Sequence, residues 1–263
     1  MTIYKALTIA GSDSGAGAGL QADLKTFAAL GVYGTSVVTA ITAQNTTGVT
    51  RVLETPAPMV AAQIDAVMSD IGADAVKTGM LANARIIRTV ADKVREHGIQ
   101  RLVVDPVMVA KGGHALLRPD AIRTLRTRLF PLATVVTPNL PEAQALTGVE
   151  GISVRAIREM ARHIVGTGAR SVVVKGGHRK GAATDVFYDG TAFYEFPARR
   201  LRTKNTHGTG CTYSAALACG LARNKELETA VAEAKEFITQ AILQAFSIGA
   251  GHSPVHHFHD SWS

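Results

Sequence analysis

Aromatic residues are scarce in this sequence. They make up 5% of the 263 residues, with a single tryptophan, and few lie near the densest basic cluster at Arg199, Arg200, Arg202 and Lys204. Proteins that bind single-stranded nucleic acid usually stack bases on aromatic rings that lie beside basic residues. The net charge of +7 therefore does not predict nucleic-acid binding, and it suits an enzyme whose substrates carry phosphates.

Long apolar runs and cysteine pairs are also lacking. No run approaches the roughly 18 residues that a membrane span needs, and a strand-like segment begins directly at Lys5. The two cysteines, Cys211 and Cys219, fall in one predicted helix, about 12 Å apart along its axis and too far for a disulfide. We expect a soluble, cytoplasmic protein that contacts no membrane.

Two well-known nucleotide-binding loops are missing as well. No glycine is followed directly by lysine, which excludes a Walker-type phosphate loop. A glycine-rich turn at 11–19 follows the first predicted strand, but its glycine spacing is Gly-x-Gly-x-Gly. Because no acidic residue ends the second predicted strand, a dinucleotide site is not indicated either.

The sequence does contain short β-branched runs that alternate with longer amphipathic stretches. This pattern is typical of an α/β protein whose mostly parallel sheet is covered by helices on both faces, in three αβα layers. Predicted strands cover residues 5–10, 35–40, 75–78, 101–104, 134–137 and 171–175. Predicted helices cover residues 20–30, 58–69, 83–97, 119–128, 154–167, 209–223 and 226–245.

A hairpin is predicted late in the chain. Segments 186–188 and 192–196 flank Asp189 and Gly190, a pair that favours the tight turns of antiparallel strands. We expect this hairpin to add an antiparallel edge to the sheet. No linker-like stretch or repeat divides the chain, so residues 1–263 are predicted to form one domain.

Ligands of such sheets bind beyond the carboxyl ends of the strands, where polar segments occur. Gly208, Thr209 and Gly210 open a predicted helix, and free backbone N–H groups there attract an anion, although a plain helix start is the alternative. Asp105 follows a buried strand and is suited to coordinate magnesium. Asn139 and Glu142 follow another predicted strand. They could bind a ligand there, or they could form the cap of the next helix.

Together these segments resemble the ribokinase superfamily of small-molecule kinases. In that superfamily an Asn-x-x-Glu segment helps to position magnesium and phosphate, and a late Gly-x-Gly before an acidic residue forms an anion hole and a catalytic base. Here the last position is Cys211, which is similar to the hydroxymethylpyrimidine kinase branch and to some pyridoxal kinases. Segments that resemble this branch are 10–13, 17–25, 42–46, 77–81, 105–108, 137–140, 175–178 and 206–211.

The resemblance implies a ribokinase-like fold and transfer of the ATP γ-phosphoryl group, with Mg²⁺, to a hydroxymethylpyrimidine. A second transfer would then make the diphosphate for thiamin biosynthesis. A pyridoxal or pyridoxine kinase is the alternative. A homodimer is also implied, and residues 14–16 are a local departure from the branch.

The resemblance also assigns roles to individual residues. The amide of Gln44 offers both a donor and an acceptor to the aminopyrimidine. The remaining assignments are a substrate pocket of Gly11, Asp23, Met80 and Val107, nucleotide contacts by Asn139, Lys175 and Thr209, magnesium ligands Asp105 and Glu142, and an anion hole of Gly208, Thr209 and Gly210 beside Cys211. Met80 and Val107 have a core role as their alternative, and Asp23 a solvated helix position.

Cys211 is predicted to act as the general base, because a helix N-terminus increases the acidity of a thiol. An inert buried cysteine is the alternative. A cysteine hydrolase that uses Cys211 and His207 is disfavoured, since the sequence shows no third residue to orient the histidine.

The sequence also gives expectations for two further segments. Residues 111–113 are predicted to form a flap near the phosphates. The histidines near the C-terminus have a spacing that suits no metal site, and a solvated tail is expected for His252, His256, His257 and His259.

Overall fold

The structure, a computed structural model, describes residues 2–108, 119–178 and 181–262, so the flap predicted at 111–113 lies outside the described residues. The strands are β1 (Lys5–Asp13), β2 (Tyr33–Asn45), β3 (Gly48–Glu54), β4 (Ala75–Thr78), β5 (Leu102–Val104), β6 (Val135–Val136), β7 (Val172–Val174), β8 (Asp185–Tyr188) and β9 (Phe193–Phe196). They form one nine-stranded sheet in the order β3-β2-β1-β4-β5-β6-β7-β8-β9.

Eight α-helices connect or follow these strands in the described residues. They are α1 (Gly19–Ala29), α2 (Ala57–Asp70), α3 (Ala84–Glu96), α4 (Pro119–Thr124), α5 (Leu140–Thr147), α6 (Val154–Val165), α7 (Thr209–Ala222) and α8 (Leu227–Leu243). A π-helical turn, Leu125–Leu129, continues α4. Among the described residues, no helix is both long and apolar enough to cross a membrane.

The sheet is mostly parallel, as the sequence predicts. Strands β2, β1, β4, β5, β6 and β7 pair in parallel. The β8–β9 hairpin adds the antiparallel edge, which confirms the hairpin prediction. A second antiparallel edge, β3 on β2, was not predicted, because β3 is largely exposed along its length and lacks the alternation of a half-buried strand.

The core lies in two layers, one on each face of the sheet. Leu102 and Val104 of β5 pack in the layer that contains residues of α2 to α6, whereas Val103 packs in the layer of α1, α7 and α8. This division follows from the two-residue period of a strand. The predicted three-layer αβα arrangement is therefore confirmed.

The C-terminal segment packs against the body of the protein. Val255 is 2% exposed and lies in the α1, α7 and α8 layer, and the backbone N–H of His256 donates to the Ala241 carbonyl at 2.9 Å. The prediction of a solvated tail is therefore wrong for three of the four histidines, since His252 is exposed and His256, His257 and His259 are buried. Too few apolar residues lie in this segment for a periodic signal to show its burial.

Close packing of α7 on α8 generates a stability prediction. A Cβ atom on Gly220 would lie 2.7 Å from the Cβ of Ala230, so a branched side chain there must push the two helices apart. Gly220→Val should lower the free energy of unfolding by about 1–3 kcal/mol, measured by urea denaturation. The control is Ala232→Val, at an exposed position of α8, which should cost only about 0.5 kcal/mol. Equal effects would contradict the close approach.

Candidate active site

Two charged side chains meet beyond the carboxyl ends of the central strands. Asp105 follows β5, is 3% exposed, and its backbone N–H donates to the Thr78 carbonyl at 3.0 Å. Lys175 follows β7, and its backbone N–H donates to the Pro138 carbonyl at 2.9 Å. The Lys175 ammonium lies 3.1 Å from Asp105 Oδ1. The ends of β5 and β7 thus place a buried ion pair at the carboxyl edge of the sheet, where ligands of such sheets bind.

Asn139 and Glu142 join this edge as the capping box of α5. Asn139 Oδ1 accepts the Glu142 N–H at 2.9 Å, and Glu142 Oε2 accepts the Asn139 N–H at 2.7 Å. The helix-cap interpretation is therefore confirmed. The nucleotide contact of Asn139 and the metal contact of Glu142 stay predictions.

Glu142 is nonetheless more than a cap, because it is buried near other charges. Its pKa is raised to about 7, because burial and, to a smaller extent, Asp105 raise it more than Lys175 and the backbone N–H donors lower it. One lysine thus faces two carboxylates, and the cluster carries more negative charge than it can neutralise without a proton or a cation.

The predicted anion hole lies beside this cluster. Gly208 caps α7 with φ of +79°, and a Cβ on it would lie 1.8 Å from the Gly17 carbonyl oxygen, so only glycine fits. A Cβ on Gly210 would lie 3.2 Å from the Lys175 ammonium and 3.7 Å from Asp105 Oδ2. The first turn of α7 therefore opens onto the buried ion pair.

Thr209 and Ser214 fix this turn. The Thr209 hydroxyl donates to the Thr206 carbonyl at 2.7 Å, so it closes the loop on itself. The Ser214 hydroxyl lies 3.3 Å from Asp105 Oδ2 and 3.0 Å from the Cys211 carbonyl. These contacts set the start of α7 against β5.

Cys211 lies in this first turn, partly buried. Burial raises the pKa of its thiol to about 11, and the nearby Lys77 ammonium only partly offsets that increase. The pKa of this thiol therefore moves in the opposite direction to the one predicted from the helix N-terminus, because the thiolate loses water on burial. Its role as a base stays a prediction.

Asp23 lies beneath the site rather than on its surface. Its side chain is 0% exposed, and its two oxygens lie 2.9 and 2.8 Å from the Lys77 ammonium. The Thr8 hydroxyl donates to it at 2.6 Å. The alternative, in which Asp23 is a solvated helix residue, is wrong. Its carboxylate is not exposed, so the structure shows no surface of Asp23 that the predicted polar contact with a substrate could use. The buried Lys77 ammonium needs a carboxylate such as Asp23 to balance its charge. This pairing could not be predicted from the sequence, because the two residues are far apart along the chain.

Of the predicted pocket residues Gly11, Met80 and Val107, the first two lie next to each other. A Cβ on Gly11 would lie 3.1 Å from the Met80 sulfur, so these two residues are adjacent. Met80 also packs against the α2 to α6 layer. Val107 is partly buried, and its N–H donates to the Asp105 carbonyl at 2.9 Å. Contact of all three with a ligand stays a prediction.

The sequence interpretation missed one set of contacts altogether. The Asp13 carboxylate accepts backbone N–H groups of Gly15, Gly17 and Ala18 at 2.8, 3.2 and 2.9 Å. It also lies 2.8 Å from Nε2 of His207. Burial raises the pKa of Asp13, but His207 and the backbone donors outweigh it and hold that pKa below its ordinary value. An aspartate just before a glycine turn was the available signal.

His207 therefore does have an orienting carboxylate, contrary to the sequence expectation. Its other ring contact is the Gln44 amide, with the two nitrogens 3.3 Å apart. Within the described part of the chain, no hydrogen bond joins the His207 ring to Cys211. The cysteine-hydrolase arrangement is not formed.

A family model described as phosphomethylpyrimidine kinase matches residues 13–256. The chain belongs to the phosphomethylpyrimidine kinase family. This result confirms the predicted kinase family on which the residue assignments rest.

Individual relatives agree with this family. The chain is 56% identical over 262 residues to the hydroxymethylpyrimidine/phosphomethylpyrimidine kinase of Rhizobium meliloti (strain 1021), covering 98% of each. It is 53% identical over 252 residues to a thiamine biosynthesis bifunctional protein of Geobacter sulfurreducens, covering 95% of this chain and 51% of that protein. An ADP complex of Bacillus subtilis pyridoxal kinase matches with a TM-score of 0.90 and 41% identity, covering 97% of this chain and 98% of that one. The ribokinase-like fold is thus confirmed.

The raised pKa of Glu142 gives a pH prediction for this phosphomethylpyrimidine kinase family member. A carboxyl group whose pKa rises from 4.5 to about 7 on folding contributes stability below its unfolded pKa, and that contribution is lost as pH rises through the folded pKa. Without divalent ions, the free energy of unfolding should fall between about pH 5 and 8 by up to about 3 kcal/mol from this group.

Glu142→Gln is the matched variant, because glutamine keeps the acceptor of the capping box but does not titrate. Urea denaturation at several pH values should show a flatter dependence for the variant than for the wild type. Parallel pH curves for the two proteins would contradict the raised pKa.

Proposed function

We propose that this single-domain chain transfers the γ-phosphoryl group of ATP to the hydroxymethyl oxygen of 4-amino-5-hydroxymethyl-2-methylpyrimidine. It then phosphorylates the monophosphate to the diphosphate, in thiamin biosynthesis. The observation that carries the proposal is the contact of Lys175 and Asp105 with the Gly210 turn of α7, in a chain of the phosphomethylpyrimidine kinase family.

Phosphoryl transfer depends mainly on positioning and on stabilising charge at the transferred group. The backbone N–H groups of Gly210 and Cys211, in the first turn of α7, supply donors for that charge. The Thr209 N–H already donates to the Thr206 carbonyl at 3.4 Å. The Lys175 ammonium, close to Gly210, adds a positive charge in a site of low polarity. These groups are fixed before a substrate binds, since Gly208, Thr209 and Ser214 each have a packing or hydrogen-bond constraint.

Magnesium suits the carboxylates of this site. Asp105 and Glu142 are hard oxygen ligands. Burial first, and the Asp105 carboxylate second, raise the pKa of Glu142, and a cation would favour its ionised form. We assign the Mg²⁺ of the reaction to these two residues, acting directly or through water. Bound there, the ion would bridge and neutralise phosphate oxygens.

Gln44 and Cys211 face the other substrate in this proposal. The Gln44 amide pairs with the amino edge of the pyrimidine, next to Gly11, Met80 and Val107. Cys211 accepts the proton of the hydroxymethyl group as its oxygen bonds to phosphorus. Because the thiol pKa is about 11, this step should be faster at high pH.

A second candidate activity is phosphorylation of pyridoxal, which the similarity to the Bacillus subtilis pyridoxal kinase favours. Its ring lacks an amino group next to a ring nitrogen, which is the edge that a glutamine amide pairs with best. We therefore place it second.

We further propose a homodimer located in the cytoplasm. Ile41 and Leu53 are directly opposite each other on β2 and β3, and are 53% and 69% exposed. Such an apolar pair on an edge hairpin suits burial against a second subunit. The two free cysteines, Cys211 and Cys219, suit a reducing compartment.

The proposed activity is tested by following ADP release with MgATP and one alcohol at a time. The hydroxymethylpyrimidine should give the highest kcat/KM, its monophosphate should also be a substrate, and pyridoxal should be a weaker one. Activity should disappear when EDTA removes the divalent ion and return with excess Mg²⁺. Turnover of pyridoxal alone would favour the second candidate, and turnover of none would contradict both.

The base role of Cys211 gives a pH-rate prediction. In the wild type, kcat should increase with pH across the neutral range, because the reactive thiolate is a minor species below a pKa of about 11. Cys211→Ala should lower kcat roughly 10²- to 10⁴-fold and flatten that profile. Cys211→Asp should retain more activity and move the increase to lower pH, since a carboxylate is a stronger acid than a thiol.

The KM for ATP serves as the control for these Cys211 variants and should change little, because the backbone donors survive both substitutions. An alanine variant with a normal kcat at every pH would overturn the base assignment. The chain would then use Cys211 as a small residue that fits the turn.

A further inference from the structure

We propose that His207, held by Asp13, fixes the orientation of the Gln44 amide and so sets the preference for an aminopyrimidine over a pyridoxal-type ring. This inference rests on the proposed function, since it assigns a positioning residue to the same pocket. The observation behind it is a buried imidazole nitrogen that lies near both a carboxylate and the amide, at 2.8 and 3.3 Å.

The proton on this imidazole is decided by its neighbours. Asp13 already accepts three backbone N–H groups, which are donated by Gly15, Gly17 and Ala18. A carboxylate surrounded by donors stays ionised and only accepts. Nε2 of His207, at 2.8 Å from it, must therefore carry a hydrogen, and it has no lone pair left to accept from another donor.

The same reasoning decides which end of the Gln44 amide faces the ring. The amide nitrogen of Gln44 lies on the His207 side, 3.3 Å from Nε2, and its oxygen lies on the Thr42 side. An NH₂ group pointed at an N–H sets two donors against each other, and a half-turn of the amide puts the oxygen on the His207 side instead. The other end of the amide lies 3.2 Å from the Thr42 hydroxyl. That hydroxyl already uses its one hydrogen on the Ser12 carbonyl at 2.8 Å, so it accepts from the amide NH₂. In this orientation the Thr42 hydroxyl accepts from the amide NH₂, and the single Nε2 hydrogen of His207, which Asp13 accepts at 2.8 Å, is shared with the amide oxygen.

An amide held in this way keeps one N–H and one oxygen lone pair free. These two groups match an amino group beside a ring nitrogen, which donates to the oxygen and accepts from the N–H. Without the His207 contact, only the Thr42 hydroxyl would hold the amide in this orientation, so the amide would turn over more easily and present the two groups in the opposite order. His207 therefore acts through Gln44 and need not touch the substrate.

His207 itself has little freedom to move. Its backbone N–H donates to the Ser253 carbonyl at 3.0 Å, and its carbonyl accepts from Val255 at 3.2 Å. A Cβ on Gly17 would lie 2.3 Å from the edge of its ring. The packed C-terminal segment and the glycine turn thus clamp the imidazole from two sides.

The test compares kcat/KM for the hydroxymethylpyrimidine and for pyridoxal in position-207 variants. His207→Leu removes the donor and should lower kcat/KM for the pyrimidine about 10- to 100-fold, with a smaller loss for pyridoxal and a KM for ATP within about twofold. His207→Asn stays polar but is too short to reach Gln44, so it should behave like leucine. His207→Gln places an N–H near the lost Nε2 and should recover most of the preference.

A double-mutant cycle with Gln44→Ala separates this role from a general structural one. Gln44→Ala alone should impair use of the pyrimidine far more than use of ATP. If His207 acts through Gln44, His207→Leu should then change kcat/KM for the pyrimidine by less than about threefold in the Gln44→Ala background. His257→Leu is the control, because it also removes a buried imidazole, one that contacts Thr212 at 3.0 Å. It should lower Tm without changing the substrate preference.

Three results would overturn the inference. They are equal effects of the leucine variant in both backgrounds, an unchanged substrate preference in the leucine and asparagine variants, and a loss of preference in the His257 control as large as at position 207. Should the leucine variant fail to fold, the asparagine variant decides. A wild-type protein that turns over no pyrimidine would overturn the proposed function together with this inference, whereas normal wild-type turnover with an additive cycle would overturn this inference alone.

Discussion

The 3.1 Å contact between the Lys175 ammonium and the Asp105 carboxylate is the interaction on which the site depends. It joins the ends of β5 and β7, and the Gly210 turn of α7 lies against it. A buried lysine without a carboxylate, or a buried carboxylate without a lysine, would be strongly unfavourable. The pair therefore holds the sheet edge and the anion hole in one fixed arrangement before any substrate arrives.

The balance of charge around that pair suits the metal nucleotide that the proposed function places there. Glu142 adds a second carboxylate beside Lys175, and burial together with Asp105 raises its pKa, so its ionised form is disfavoured without a cation. A cation with bound phosphates brings both signs of charge, so it satisfies the carboxylates and the α7 donors together. A second buried ion pair, Asp23 with Lys77, lies near Cys211. The Lys77 ammonium lowers the pKa of the Cys211 thiol in part.

Much of this arrangement could be predicted from the sequence, and the failures have physical causes. The parallel strands and the three layers follow from alternating apolar runs such as β5 and β7, and the capping box of Asn139 and Glu142 follows from local spacing. Strand β3 was missed because it is mostly exposed. The pKa of Cys211 moves in the opposite direction to the one predicted, because the thiol is buried, and burial is a property of the fold. Asp13 and His207 lie 194 residues apart, so no local pattern could pair them.

The central claim is that Cys211, the α7 anion hole and Gln44 surround one acceptor alcohol and one nucleotide. A crystal structure with the hydroxymethylpyrimidine and a non-hydrolysable ATP analogue tests it most directly. We expect the γ-phosphate at the backbone N–H groups of residues 210–211, the hydroxymethyl oxygen between that phosphate and the Cys211 sulfur, and the amino edge of the ring on Gln44. A γ-phosphate bound away from α7, or a pyrimidine whose hydroxymethyl group points away from Cys211, would contradict it.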